Sequence, residues 1–304
     1  MAVLIYSVLC LIIKFKNMLE TSIKTNSKEM LHAIIQCKLS SSELNWLENS
    51  ISFENETLFF EAFGLTSRCI PSTIPVWTTE EKASLEQLYP SFTKSSWDLQ
   101  QLCRSLLMIY IPTHQNREVL KKLSEMADIK ELVCLYKGLF FLKNAQDFVS
   151  LVQEGIRTNM VAVFDAIALA NPFAEEYLPV DAWNQLVLKA VFMGRPLYRI
   201  VDLDLRKNEK LALIVHDYIH ERWSAGRLVS PEIWRLVAGY VNQDIASDLL
   251  SGINSGDSLT QQATTKVLKE SSFFNQNKIQ IEAALNCETS WDEIGEQHYS
   301  QSNF

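Results

Sequence analysis

The chain has 304 residues, of which 47% are hydrophobic and 21% are charged. This balance is typical of a globular protein that buries a sizeable core, and it excludes an intrinsically disordered chain. The net charge of −8 and the lack of a Lys/Arg-rich run exclude the basic footprint of a nucleic-acid-binding protein.

The chain opens with an apolar run, Ala2–Ile13, which is too short to cross a bilayer. No basic segment precedes this run and no small-residue cleavage site follows it, so it does not resemble a secretory signal peptide. We interpret residues 1–17 as an upstream extension, with natural translation beginning at Met18. The alternative is a helix that lies on a membrane surface.

Helical periodicity recurs after residue 27, and no segment shows the alternation of a strand. Few glycines and prolines interrupt the chain, with nine and eight respectively, which favours helices joined by short turns. The predicted helices cover residues 27–38, 41–52, 55–63, 79–89, 95–111, 116–127, 129–143, 145–157, 159–170, 180–193, 196–206, 208–225, 230–240, 243–253, 257–271, 275–287 and 290–299.

Capping signals support several of these boundaries. Three Ser/Thr residues are followed by Glu at the spacing of a capping box, and Ser230-Pro231 has the order of an N-cap and a first helical residue. Gly194 and Gly226 each follow a periodic segment and predict helix ends. The three capping boxes are Ser40 with Glu43, Thr78 with Glu81, and Ser290 with Glu293.

This succession of short helices predicts an all-α fold, an irregular α–α superhelix or HEAT-like helical array. No repeat of fixed period supports a regular solenoid. The longest connection without a pattern, Leu65–Thr78, carries two prolines and separates an N-terminal group of helices from the main body. The predicted domains are residues 1–17 as an extension, 18–64 as N-terminal helices, 79–254 as the main helical domain, and 255–304 as C-terminal helices.

The helix predicted over residues 159–170 is apolar around its whole circumference, which is typical of a buried central helix. Asp165 is its one charged residue. A buried carboxylate needs a partner, so we expect Asp165 to be buried and paired with an arginine. Arg222 is the first candidate, and Arg157 and Arg195 are the next. The alternative is that Asp165 lines a pocket.

Arg222 falls on the apolar face of the helix predicted over residues 208–225, one turn beyond Tyr218. Arginine is the cation best suited to a bidentate contact with a carboxylate. The acidic residues available to it are Asp165, Glu175, Glu176, Asp202 and Asp204. The alternative is an arginine that packs its stem and extends its head into water.

His216 and His220 lie four residues apart and imitate part of a zinc-protease motif, with Asp217 in place of the glutamate. Both histidines project away from the apolar face, and no further histidine follows at the spacing of a third ligand. We therefore expect solvated or helix-end histidines and no metal, and we keep His216 and His220 as weak candidates for a metal-dependent enzyme.

Aromatic side chains crowd residues 157–240, where we expect most of them to fill the core. The alternative is an aromatic groove with a few polar anchors, as in small-molecule sites. The residues proposed for such binding are Arg157, Asn159, Asp165, Asn184, Lys189, Arg195 and Arg222.

Signatures of catalysis and cofactor binding are absent from the sequence, which has neither a phosphate-binding glycine loop nor a GxSxG motif. The six cysteines are scattered without a CxxC pair, so we predict neither a disulfide framework nor a nucleophilic cysteine. We expect a protein without catalytic residues or cofactors in a reducing cytoplasm, with peripheral attachment to the inner membrane as the alternative.

Three segments resemble the EboA-domain family: RTNMVAVFDAIALANPFAEEY at 157–177, DAWNQLVLKAVFMGRPLYRI at 181–200, and HERWSAGRLVSPEIWR at 220–235. The resemblance covers roughly residues 100 to 245. It implies an accessory protein in the traffic of a secondary-metabolite precursor. The implied partners are proteins encoded in the same gene cluster, a prenyltransferase-like membrane protein among them, and a small hydrophobic or aromatic metabolite. The resemblance supplies no catalytic residues.

Overall fold

The computed structural model describes residues 28–272 and 289–302. Within these two ranges all regular structure is helical, which confirms the all-α prediction. None of the described helices has both the length and the apolar character needed to span a membrane. The extension predicted at residues 1–17 and the helix predicted at 275–287 lie outside the described residues.

The chain divides into two compact units, Met1–Leu178 and Pro179–Phe304. This division falls inside the range 79–254, which the sequence predicts as one helical domain. The described residues of the group predicted at 255–304 belong to the second unit. The predicted domain limits stay a prediction.

The first unit contains short helices with brief connections. A first helix, α1, covers residues 28–36. Single 3₁₀ turns lie at Phe92–Lys94, Leu139–Phe141 and Ala145–Phe148. The remaining helices are α2 (Ser41–Ser50), α3 (Glu56–Cys69), α4 (Thr79–Leu88), α5 (Leu99–Tyr110), α6 (Thr113–Met126), α7 (Ile129–Gly138), α8 (Val149–Ile156), α9 (Val161–Ala168) and α10 (Phe173–Tyr177).

The core of the first unit forms around α5 and α7, which pack against each other, while α7 also packs against α9. A buried arginine, Arg104 on α5, connects this core to α3 and α7. Its Nε donates to the Phe63 carbonyl at 2.9 Å, and its Nη2 lies 3.5 Å from a Glu131 carboxylate oxygen. These contacts satisfy a charge that would be costly to bury alone.

The second unit contains α11 (Val180–Phe192), α12 (Leu203–Arg206), α13 (Glu209–Ser224), α14 (Gln243–Ile253), α15 (Ser258–Glu270) and α16 (Trp291–Ser302). A short 3₁₀ helix covers Leu197–Arg199, and a longer one covers Pro231–Val237. All seven residues of the longer helix are buried, and it packs against α13, α15 and α16. We call Pro231–Val237 the central 3₁₀ helix.

The predicted capping signals are confirmed. Ser40, Thr78 and Ser290 each form the capping box predicted for them. Ser230 caps the central 3₁₀ helix, where Pro231 takes the first helical position. The segment is a 3₁₀ helix, however, and not the α-helix predicted over 230–240.

Three further departures concern helix limits. Helix α3 continues to Cys69, so the first part of the connection predicted at Leu65–Thr78 is helical. The helix predicted over 196–206 is interrupted, because Asp202 adopts a left-handed backbone with φ of 48° and an α-helix cannot continue through it. The five-residue helix α10 was not predicted, since it is too short to show a helical period.

Gly295 on α16 allows this helix to approach the central 3₁₀ helix closely. A Cβ at this position would lie 2.5 Å from Glu232 Oε1 and 2.5 Å from Tyr198 Cδ1. Both distances are well inside van der Waals contact, and Glu232 is 2% exposed and held by backbone N–H groups. A glycine is therefore required where α16 docks.

We predict that Gly295→Ala destabilises the protein. Overpacking of a core lowers the free energy of unfolding by about 1–3 kcal/mol. The higher helix propensity of alanine offsets ~0.5–1 kcal/mol of this loss. The expected net loss in the free energy of unfolding is roughly 1–2 kcal/mol, measured by urea denaturation. Gly256→Ala is the control, because nothing lies within 4 Å of a Cβ built there. Equal stability of the two variants would contradict the close packing of α16.

Candidate functional site

A pocket of about 390 Å³ lies within the second unit. The end of α11, the end of α13, the start of the central 3₁₀ helix and one face of α16 contribute to its wall. Its lining residues are Val191, Phe192, Gly194, Arg195, Leu197, Tyr218, Arg222, Leu228, Val229, Ser230, Glu232, Ile233, His298 and Tyr299. The wall thus combines apolar and aromatic side chains with a few charged groups.

Two helices that contribute to this pocket, α11 and α13, end in the same way. At the end of α11, Gly194 has a φ of 60°, and the Arg195 N–H donates to the Ala190 carbonyl at 2.8 Å. At the end of α13, Gly226 has a φ of 66°, and the Arg227 N–H donates to the Arg222 carbonyl at 2.9 Å. Both are Schellman motifs, which confirms the helix ends predicted from the two glycines.

The aromatic part of the wall is formed by Phe192 and Tyr218, whose ring centroids are 4.9 Å apart. Phe192 is 57% exposed and Leu228 is 89% exposed, so an apolar rim faces solvent. The predicted core aromatics Phe164, Phe173, Trp183 and Trp234 are buried. The crowded aromatic region therefore supplies both core and pocket wall.

Arg195 and Arg222 are the two predicted binding residues that line the pocket. Arg222 is half-buried, and its Nε and Nη2 both donate to the Leu228 carbonyl, at 3.3 and 3.0 Å. This contact fixes the chain as it leaves α13. Asp204, one of the acids considered for Arg222, instead makes a bidentate pair with Arg235, with a shortest N–O distance of 2.6 Å.

Glu232 is the buried acid of the pocket. Its carboxylate accepts N–H bonds from Leu197 at 3.1 Å and Tyr198 at 2.6 Å. Burial raises the pKa of Glu232 to about 7, although these two N–H groups and the charge of Arg235 act in the opposite direction. Asp292 adds to the increase in this pKa. The pocket therefore contains a carboxyl group that gains or loses a proton near neutral pH.

His298 and Tyr299 on α16 close another side of the pocket. His298 is half-buried, and burial lowers its pKa, with Asp257 opposing this decrease. A neutral imidazole is consequently favoured in the pocket. Both residues lie on α16, which packs against both 3₁₀ helices of the second unit.

The other predicted binding residues of the second unit lie on α11, outside the lining of this pocket. Asn184 is 4% exposed and exchanges two side-chain hydrogen bonds with Asn208, at 2.8 and 3.2 Å. Asn208 also accepts the Leu211 N–H and caps α13. Lys189 is half-buried, and burial lowers its pKa. Asn184 thus has a structural role in holding the start of α13.

Arg157, Asn159 and Asp165 belong to the first unit. Arg157 and Asn159 are exposed. Asp165 is half-buried, so the expectation of a buried carboxylate is wrong, because α9 leaves Val161 and Ala162 exposed on one side. The pairing of Asp165 with an arginine stays a prediction.

A second cluster involves the two histidines singled out from the sequence. The Nε2 atoms of His216 and His220 lie 2.6 and 2.7 Å from the same oxygen, Oδ2 of Asp248 on α14, and 3.3 Å from each other. His216 has 11% of its side chain exposed, Asp248 has 17%, and His220 has 53%. His220 is half exposed, as expected of a solvated histidine, whereas His216 is mostly buried and both contact an acid of another helix. Whether this cluster binds a metal stays a prediction.

Sequence reasoning missed Glu232, His298 and Asp248. Each belongs to a different element from the residue it approaches, so no local spacing connects them. The local signal for Glu232 was its position directly after the predicted cap Ser230-Pro231. Its burial is a property of the tertiary structure.

In a comparison with known families, residues 27–238 match the family described as "Metabolite traffic protein EboA". This range is more than half of the chain and includes most of the pocket, but it ends before Asp248, His298 and Tyr299. Neither the comparison with curated proteins nor that with solved structures gives a match.

The raised pKa of Glu232 predicts a specific pH dependence of stability. In the unfolded chain this carboxyl group ionises near 4.5, and in the folded chain near 7. Between these values the folded state holds the additional proton, so its contribution to stability is complete below pH 4.5 and is lost as the pH rises to 7. The corresponding change in the free energy of unfolding is roughly 3 kcal/mol at most.

We expect Glu232→Gln to remove this component, so that the free energy of unfolding of wild type falls relative to the variant between pH 4.5 and 8. Urea denaturation at several pH values measures the difference. Glu296→Gln, at an exposed position of α16, should follow the wild-type profile. Parallel profiles for wild type and Glu232→Gln would show that Glu232 has an ordinary pKa.

Proposed function

This chain belongs to the EboA family of metabolite traffic proteins, and on that premise we propose that it is a non-enzymatic accessory protein that binds the transported metabolite. We place the binding site in the pocket of the second unit. The observation that carries this proposal is one cavity of about 390 Å³ with aromatic and apolar walls and two arginines. Sites for small molecules typically measure ~300–1,000 Å³ and combine these features.

The lining indicates the chemical class of the ligand. Phe192, Tyr218 and Tyr299 offer surfaces for a flat or apolar body, while Arg195 and Arg222 give one wall a positive character. We propose a small hydrophobic or aromatic molecule that carries an anionic or hydrogen-bond-accepting group. The polar group would face the arginines, because guanidinium groups bind planar anions in a fixed geometry.

The exposed rim supports transfer to or from a partner. Phe192 and Leu228 are apolar side chains that face solvent beside the pocket, and exposed apolar surface of this kind often marks a contact site. We propose that a protein of the same gene cluster, such as its prenyltransferase-like membrane protein, docks here to deliver or receive the molecule. Such a role is compatible with a protein at the cytoplasmic side of the membrane.

We predict that protein purified from its native cells carries a defined small molecule, which is released by denaturation and identified by mass spectrometry. Arg222→Ala should lower the amount bound at least several-fold, because it removes both a positive charge and the anchor of the Leu228 carbonyl. Arg227→Ala is the matched control, since Arg227 is exposed and outside the pocket lining.

Val229→Trp provides a second test, because a larger side chain would fill the cavity without removing a charge. We expect this variant to lose the molecule as well. A compound that stays bound in both Arg222→Ala and Val229→Trp at the wild-type amount would place binding elsewhere. Release of no small molecule from wild type would contradict the carrier role itself.

A further inference from the structure

We propose that His216, His220 and Asp248 form a zinc-binding site with three protein ligands and one open coordination position. The site connects α13 to α14 in the second unit. It is separate from the pocket, because Tyr218 and Arg222 lie on the opposite side of α13 from the two histidines at 100° per residue. The proposal therefore does not depend on metabolite binding.

The first argument is convergence. Residues four apart on a helix share one face, which explains why His216 and His220 are neighbours. Asp248 comes from a different helix, and one ligand atom of each of the three side chains lies within 4.8 Å of the others. In the described part of the chain, this is the one group of His, Cys, Asp or Glu residues that meets this condition.

The distance between the two imidazoles fits one edge of a tetrahedral site. Two nitrogens bound to zinc at about 2.0–2.1 Å lie ~3.3 Å apart on a tetrahedron, whereas cis ligands of an octahedron at the same bond length lie ~3.0 Å apart. His216 Nε2 and His220 Nε2 are 3.3 Å apart. The Asp248 oxygen is at hydrogen-bonding distance from both, and an outward shift of roughly 0.6 Å would complete the tetrahedral edges.

The ligand types favour the same metal. Imidazole nitrogen suits zinc and other late transition metals, while magnesium and calcium prefer sites made of oxygen alone. The surroundings leave room for a fourth ligand, because the His220 side chain is 53% exposed. Trp223 contacts the His220 ring edge-on, with centroids 5.4 Å apart, and limits its orientations. A water molecule or a small anion would take the open position.

Calorimetric titration of the full-length, tag-free, chelator-treated protein with zinc sulfate tests the site. We expect one zinc ion per chain and no comparable binding of magnesium. Loss of only an outer-sphere partner weakens metal binding ~10–100-fold, so His220→Ala and Asp248→Asn should each weaken zinc binding at least ~10-fold. His114→Ala and Asp244→Asn are matched controls at exposed positions and should bind zinc like wild type.

Two further measurements distinguish a loss of zinc binding from misfolding, and binding by these three side chains from binding by cysteine. Zinc should raise the melting temperature of wild type but not of His220→Ala, whose metal-free form should melt like metal-free wild type because His220 is half exposed. Cobalt should give the intense visible absorption of a tetrahedral site without a thiolate charge-transfer band. A thiolate band would assign binding to a cysteine and overturn the proposal; among the described cysteines, Cys37 and Cys69 are the ones that are not buried.

The proposal is overturned if wild type binds no zinc, if His220→Ala and Asp248→Asn both bind zinc with wild-type affinity, or if cobalt gives only the weak spectrum of an octahedral site. Preferential binding of Fe²⁺ would likewise overturn the assignment to zinc.

Discussion

Charged side chains inside helical cores are the constraint on which both units depend. An isolated buried charge is too costly to retain, so each one determines which backbone and side-chain groups must surround it. In the first unit, Arg104 requires the Phe63 carbonyl and Glu131. In the second, Glu232 requires the N–H groups of Leu197 and Tyr198. These contacts specify which helices are neighbours, whereas apolar burial alone would permit several arrangements.

The central 3₁₀ helix connects the burial of Glu232 with the wall of the pocket. It presents Glu232 to the segment 197–198 on one side and to Gly295 of α16 on the other. The docking of α16 in turn brings His298 and Tyr299 to the pocket wall. The buried residue that organises the unit is therefore also the acid of the pocket wall, so a substitution of Glu232 would change both the stability of the unit and the pocket lining.

Helix α13 has two different polar faces beside its buried one. Tyr218 and Arg222 contribute to the pocket, and His216 and His220 converge on Asp248. Its buried residues Leu211, Ala212, Val215 and Ile219 keep it in place between them. The proposed metabolite site and the proposed metal site can therefore be tested by separate mutations, although both depend on the same helix.

The sequence by itself determined the all-α class, most helix limits, the caps and the two glycine helix ends, because each of these depends on interactions within about five residues. It also determined the family. It selected Arg195, Arg222, His216 and His220 as notable, since a polar residue at an unusual position on a helix is a local signal. Only the tertiary structure decided what these residues meet, as when Asp248 joins the histidines from 28 residues beyond His220. It likewise showed Asp165 to be half-buried, because exposure depends on neighbours that are distant in the chain.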